Sequence, residues 1–150
     1  MKRLLVVYHS QSGSTEAFAR AAARGAMEFE IELRLLRAMS AGLQDLVACD
    51  AVLFATPENF GALAGGMKDF LDRTYYPALP LELNCGYAVM VSAGNDGRGA
   101  VRQLEGIVDS YPMRSVAPPL ILRGGVSDES IGRARELGQT LAAGLELGIF

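Results

Sequence analysis

An α/β fold, with a doubly wound parallel sheet of five strands and helices on both faces, is what this sequence predicts. Three observations lead there: short apolar runs alternate with helix-period segments, the alternation repeats five times, and the chain has only 150 residues. Strands that are each followed by a helix need right-handed crossovers and a parallel sheet covered on both sides. A closed eight-unit barrel takes roughly 250 residues, which leaves the open sheet. A chain half hydrophobic in composition can bury one substantial core, so residues 1–150 are expected to form one domain.

The first strand is read at Leu4 to Tyr8 (LLVVY), the third at Ala51 to Ala55 (AVLFA), the fourth at Tyr87 to Val91 (YAVMV) and the fifth at Leu120 to Leu122 (LIL). Each is too short for a helix and too uniformly apolar for a half-exposed strand, so burial on both faces is expected. The second run, Phe29 to Leu36 (FEIELRLL), alternates charge with hydrophobe and belongs nearer an edge. Helices are expected at Thr15 to Met27, Gly42 to Ala48, Leu63 to Tyr75, Ala100 to Tyr111 and Asp128 to Leu147. Pro77-Ala-Leu-Pro80 and Pro118-Pro119 read as turns that precede strands. No internal repeat, low-complexity tract or linker interrupts this order.

Charge narrows the partners. A net charge of -3, from 14 basic and 17 acidic residues scattered along the chain, forms no basic stripe for nucleic acid. No apolar run approaches the roughly 20 residues that cross a bilayer, and MKRLLVV leads directly into polar residues. A cytoplasmic protein without membrane insertion is therefore expected. Cys49 and Cys85 lie far apart with no CxxC spacing, which gives a disulfide framework or zinc site little support and predicts buried, reduced thiols.

In doubly wound sheets, ligands bind outside the carboxyl ends of the strands, which directs attention to three loops. The first is Tyr8-His9-Ser10-Gln11-Ser12-Gly13-Ser14-Thr15-Glu16. It is neither a P-loop nor a GxGxxG turn, since the lysine and the glycine spacing are both missing. A loop that enters a helix N-terminus presents unpaired N–H groups and a partial positive charge, which suits a phosphate without a cation. The hydroxyls of Ser10, Ser12, Ser14 and Thr15 are candidate donors, and Gly13 permits close approach. The plain alternative is that Ser14 or Thr15 caps the helix. The second loop, Thr56-Pro57-Glu58-Asn59-Phe60-Gly61, and the third, Ser92-Ala93-Gly94-Asn95-Asp96-Gly97-Arg98-Gly99, both mix small and polar residues, as contact with a flat polar heterocycle requires. His9 reads as structural, Lys68, Asp69 and Asp72 as solvent-facing, and Glu129, Arg133 and Glu136 as surface pairing at one-turn spacing. Arg98 is either a surface arginine or a cation for a dinucleotide's phosphates.

The pattern Ser10-x-Ser12-Gly13-x-Thr15 resembles the FMN-phosphate loop of flavodoxin-like proteins. TPENFGALAGGMKDFLDR, from Thr56 to Arg73, is similar to the second flavin loop and following helix of NAD(P)H:quinone reductases of the Trp-repressor-binding-protein type. The resemblance covers most of the chain and implies a flavodoxin-like sheet in the order 2-1-3-4-5. It implies FMN as cofactor, with Ser10, Gln11, Ser12, Gly13, Ser14 and Thr15 at the phosphate. Thr56, Pro57, Glu58, Asn59, Phe60 and Gly61 would meet the isoalloxazine ring, and Ser92, Ala93, Gly94, Asn95, Asp96 and Gly97 the ring and ribityl chain. NAD(P)H as electron donor, a quinone-like small acceptor and a homo-oligomer are further implications. No acid-base catalyst and no metal ligand are named, because the flavin carries the chemistry. The chain departs from those reductases in its short Ser110 to Leu120 segment and its single histidine, His9, and from electron-carrier flavodoxins in a third loop without an aromatic residue. The electron carrier is the alternative to the enzyme; an uncovered ring face, which a hydride donor must reach, favours the enzyme.

Overall fold

The computed structural model describes residues 1–111 and 113–150; Pro112, within the short Ser110 to Leu120 segment, lies outside them. The chain runs β1 (Arg3–Tyr8), α1 (Ser14–Ala26), β2 (Glu32–Arg37), α2 (Leu43–Ala48), β3 (Ala51–Asn59), β4 (Ala62–Leu63), α3 (Gly65–Ala78), β5 (Gly86–Ala93), α4 (Arg98–Asp109), β6 (Arg114–Ser115), β7 (Leu120–Arg123) and α5 (Asp128–Glu146). The parallel path is β2-β1-β3-β5, and β6 and β7 pair with the two ends of β5's free edge. That is the expected 2-1-3-4-5 order, with seven strands instead of five.

Both additional strands have a local cause. β3 continues past Ala55 to Asn59 and folds back antiparallel as β4, so Leu63 is a strand residue and α3 starts only at Gly65. The fifth strand is split: Val116 N still donates to Tyr87 O at 2.9 Å, but Pro118 and Pro119 have no N–H to offer the ladder, and pairing resumes at Leu120↔Met90. Leu120 to Leu122 is therefore an edge strand, half-buried except at Leu122, and not the strand buried on both faces that its composition predicts. At the opposite edge β2 begins at Glu32, later than expected, because Phe29 N bonds back to Ala26 O in a turn. Pro77 falls in the last turn of α3, where it has no N–H to offer the Arg73 carbonyl, and not in a turn beyond it.

Two apolar layers flank the sheet. Phe54, Tyr87, Val89 and Val91 pack under α2, α3 and α4, whereas Leu53, Ala88 and Met90 pack under α1 and α5. The alternation along β3 and β5 assigns successive residues to opposite layers, as a fully covered sheet demands. Helices α1 and α5 approach closely through alanines and glycines: a Cβ at Gly138 would overlap the Ala22 carbonyl. No pairing among Glu129, Arg133 and Glu136 forms among the described residues; the ion pair of α5 joins Arg135 to Glu28, which also accepts from Gln139 at 2.8 Å. Lys68–Asp72 and Arg73–Asp69 are surface pairs one turn apart, both at 2.7 Å. No described helix is long and apolar enough to cross a membrane.

Candidate functional site

The carboxyl ends of β1, β3 and β5 converge on a cavity of about 270 Å³. Ser12 and Ser14 line it from the first loop, Pro57 to Asn59 from the second, and Ser92 to Gly94 from the third. Glu58 is the only charged residue in the lining, so the cavity offers neutral donors and no cation. A larger groove of about 560 Å³ runs between α3 and α4, between Leu71, Tyr75 and Ile107. It is lined by residues of α3 and α4 and Ser110, away from the strand ends where the crossover topology creates the ligand crevice.

The first loop folds around Gly13, whose φ of 105° a side chain would resist. Ser10 Oγ accepts from Gly13 N at 3.2 Å and fixes the turn. Gly13 is then the N-cap of α1, and no side chain caps that helix. The alternative in which Ser14 or Thr15 serves as cap is thereby excluded: both lie inside the helix. Helix α3, with Ala64 as its N-cap, also lacks a side-chain cap, whereas α5 and α4 have side-chain acceptors at their starts. Ser127 caps α5 with its own hydroxyl, accepting from Ser130 N at 3.0 Å, and α4 receives a carboxylate from another loop. The first-turn N–H groups of α1 are left for something that is not a side chain.

Thr15 does not serve as a free donor. Thr15 is 2% exposed, and its hydroxyl shares a hydrogen bond of 2.5 Å with that of Ser92, itself 8% exposed, which ties the first loop to the third. Of the four candidate hydroxyls, only those of Ser12 and Ser14 reach the cavity.

The second loop is the tip of the β3–β4 hairpin. Thr56, fully buried, accepts from Ala64 N at 3.1 Å and donates to Pro57 O at 2.9 Å, closing the hairpin base. Asn59 Nδ2 donates to Gln11 Oε1 at 2.5 Å, a link back to the first loop. Glu58 Oε1 accepts from Gly97 N at 2.9 Å and Oε2 from Ala100 N at 3.2 Å, so its carboxylate caps α4 in place of the N-cap Gly97, which has no side chain to do so. Beside it, a Cβ at Gly99 would overlap the Gly61 carbonyl. Phe60 stands at φ 52° with its ring wholly in solvent, clear of the cavity.

In the third loop, Asn95 and Asp96 face a separate shallow depression shared with Arg98 and Arg123. The Arg98 guanidinium bonds Asp96 at 2.7 Å and holds its carboxyl below the ordinary range, while Arg123 Nε donates to Asp96 O at 2.8 Å. His9 is half-buried with its ring against Gly66 at the start of α3. A fourth contributor was missed: Leu122 of β7 and Gly125 of the β7–α5 connection also line the cavity, and Gly124 N donates to Ala93 O at 3.1 Å. The Gly124-Gly125 pair after the last strand was the available signal.

The family profile described as NADPH-dependent FMN reductase matches residues 3–125. An NAD(P)H dehydrogenase (quinone) of Acidithiobacillus ferrooxidans is 34% identical over 95 residues, covering 49% of this chain and 48% of that protein. The chain thus spans about half the length of the curated relative it matches. Among solved structures, a flavodoxin from the domain Archaea superposes with a TM-score of 0.85 at 22% identity, covering 95% of this chain and 98% of the other. A WrbA-like flavodoxin of Agrobacterium tumefaciens gives 0.77 at 22%, with 95% and 96% covered. At these identities the superpositions show a flavodoxin-like fold.

Proposed function

This chain belongs to the NADPH-dependent FMN reductase family, and on that premise we propose that it is an FMN-dependent oxidoreductase passing electrons from NAD(P)H to a quinone or similar small acceptor. One observation carries the reading: the uncapped N-terminus of α1 opens into a cavity walled by the second and third loops. The donor set suits FMN. Its terminal phosphate would take the first-turn N–H groups of α1 and the hydroxyls of Ser12 and Ser14, with Gly13 allowing close approach. Pro57 to Asn59 and Ala93-Gly94 would flank the ring. Ser10, Thr15, Thr56 and Ser92 act by holding these loops in register, through the bonds described above.

FMN supplies the hydride and electron chemistry; the chain supplies position, electrostatics and access. A cavity without a cation adds no stabilisation to an anionic reduced flavin, and Glu58 opposes it. The residues of the third loop that reach the cavity are small, which leaves room for a nicotinamide to stack. A flavodoxin-type electron carrier is the second reading, favoured by the superposition on the archaeal flavodoxin. The same proposal treats residues 1–150 as one FMN-binding unit in the cytoplasm.

The first experiment is an absorbance and fluorescence titration of the purified chain with FMN, FAD and riboflavin. FMN should bind tightest, because it alone presents a terminal phosphate monoester. A protein that takes up none of the three removes the reading.

A further inference from the structure

The fold brings together the two cysteines that the sequence keeps apart. β3 and β5 pair in parallel from Ala51↔Gly86, and Gly86 N donating to Asp50 O at 3.1 Å extends the ladder by one step. Asp50 and Cys85 are therefore neighbours, and Cys49 precedes Asp50 with extended backbone, φ -96° and ψ 154°. A strand spacing of about 4.8 Å and a rise of about 3.3 Å put the Cys49 and Cys85 Cα atoms about 6 Å apart. That falls inside the window of about 4.4–6.8 Å that a disulfide spans. Both side chains join the apolar layer under α2 and α3, and their thiols interact. Both are free thiols in this structure.

Their access differs. Cys85 is 3% exposed, whereas Cys49 is half-buried and lines a cavity of about 240 Å³ beside Leu4 and Leu5. The charges in that lining are matched, Arg3 with Glu32 at 2.9 Å and Arg34 with Asp45, so a small uncharged molecule meets no net field there. The pair sits at the amino ends of β3 and β5, opposite the flavin loops.

We propose that Cys49 and Cys85 are a reversible oxidation site, in which a small hydroperoxide entering by the Cys49 cavity converts the dithiol to an intramolecular disulfide. The interaction with Cys85, together with burial, pushes the Cys49 thiol up, and in the resting pair its S–H donates to Leu46 O at 3.3 Å. The reactive species is the Cys49 thiolate, the sulfur that the cavity exposes, while Cys85 keeps its proton. When the Cys49 thiolate attacks, an S–O bond forms, the O–O bond breaks, and the departing alkoxide takes a proton from water, replacing the one Cys49 lost, and leaves as the alcohol. The Cys85 sulfur then displaces hydroxide from Cys49, giving the S–S bond and, with its proton, water. Two thiols lose two electrons and the hydroperoxide gains them.

The test uses the full reduced chain and hydrogen peroxide, with no flavin added, followed by intact mass and thiol counting after denaturation. The expected product is a monomer lighter by two hydrogen atoms with no free thiol, and dithiothreitol restores both thiols. Its rate should rise from neutral to alkaline pH. The C85S variant should instead gain one oxygen, at Cys49. The proposal is overturned if the wild-type chain keeps both thiols, gains oxygen without losing hydrogen, or forms only intermolecular disulfides, and equally if Cys49 in C85S is inert to peroxide.

Discussion

Removing the Glu58 carboxylate should unclamp the second and third loops at once. Glu58 accepts from Gly97 N and Ala100 N, at 2.9 and 3.2 Å, and shares the start of α4 with Asp96, whose Oδ1 accepts from Arg98 N at 3.2 Å. A bond to a charged acceptor contributes about 1.5–3 kcal/mol when buried, and loss of a helix cap costs about 1 kcal/mol. Because Glu58 is only half-buried, the low end applies: Glu58→Ala should cost about 2 kcal/mol and Glu58→Gln, which keeps one acceptor oxygen, about 1 kcal/mol. For a chain of this size those losses lower the melting midpoint by about 6 and 3 °C. FMN must then reorder both loops as it binds, and a cost near 1.4 kcal/mol weakens its affinity about tenfold. Urea unfolding of the flavin-free chain and fluorescence titration with FMN read the two effects separately. Equal stability and equal affinity in Glu58→Ala would refute the clamp. A lower stability with unchanged affinity would mean that the carboxylate serves α4 alone and that the loops it joins do not hold the flavin.

Four other substitutions test the site and the packing beneath it. Ser12→Asp should abolish FMN binding, since a carboxylate would stand where the phosphate belongs, yet leave the flavin-free chain at least as stable, because it adds a negative charge at an uncapped helix start; equal FMN affinity by titration would move the phosphate elsewhere. Gly138→Ala should destabilise by about 1–3 kcal/mol through overlap with the Ala22 carbonyl, while Gly132→Ala on the same helix, with open space around it, should gain about 0.5–1 kcal/mol; urea midpoints that do not separate the two would contradict the α1–α5 contact. Gly94→Trp, exposed and unobstructed at the cavity wall, should slow flavin reduction by NAD(P)H in stopped-flow far more than it weakens FMN binding. Gly97 is unsuited to that test, because its φ of 91° and its contact with Ile121 would confound strain with access.

The sheet was legible because its strands obey simple constraints. LLVVY, AVLFA and YAVMV are covered on both faces, and an unbroken apolar run has no other stable place. LIL misled because three apolar residues look alike at an edge and in a centre, and only the preceding prolines mark where pairing stops. The β3–β4 hairpin was hidden for a related reason: residues 56–63 have neither helix nor strand period, and what shapes them is the Thr56 hydroxyl and the distant α4. The loops of the site could be located from the sequence, since their place follows strand ends. The task of each hydroxyl could not. Thr15 and Ser92 neutralise one another across the sheet, and that pairing exists only once β1 and β5 flank β3. The cysteine pair escaped in the same way, because register and not sequence spacing makes Cys49 and Cys85 neighbours.

Anaerobic mixing of the FMN-loaded chain with NADPH or NADH, followed at the flavin absorbance band, bears most directly on the proposed activity. The account predicts that one of the two nucleotides bleaches the flavin with no other protein present, and that an added quinone restores the colour over repeated cycles. A chain that binds FMN yet stays oxidised with both nucleotides, and is reduced only through a separate reductase, would contradict the enzyme and leave an electron carrier in its place.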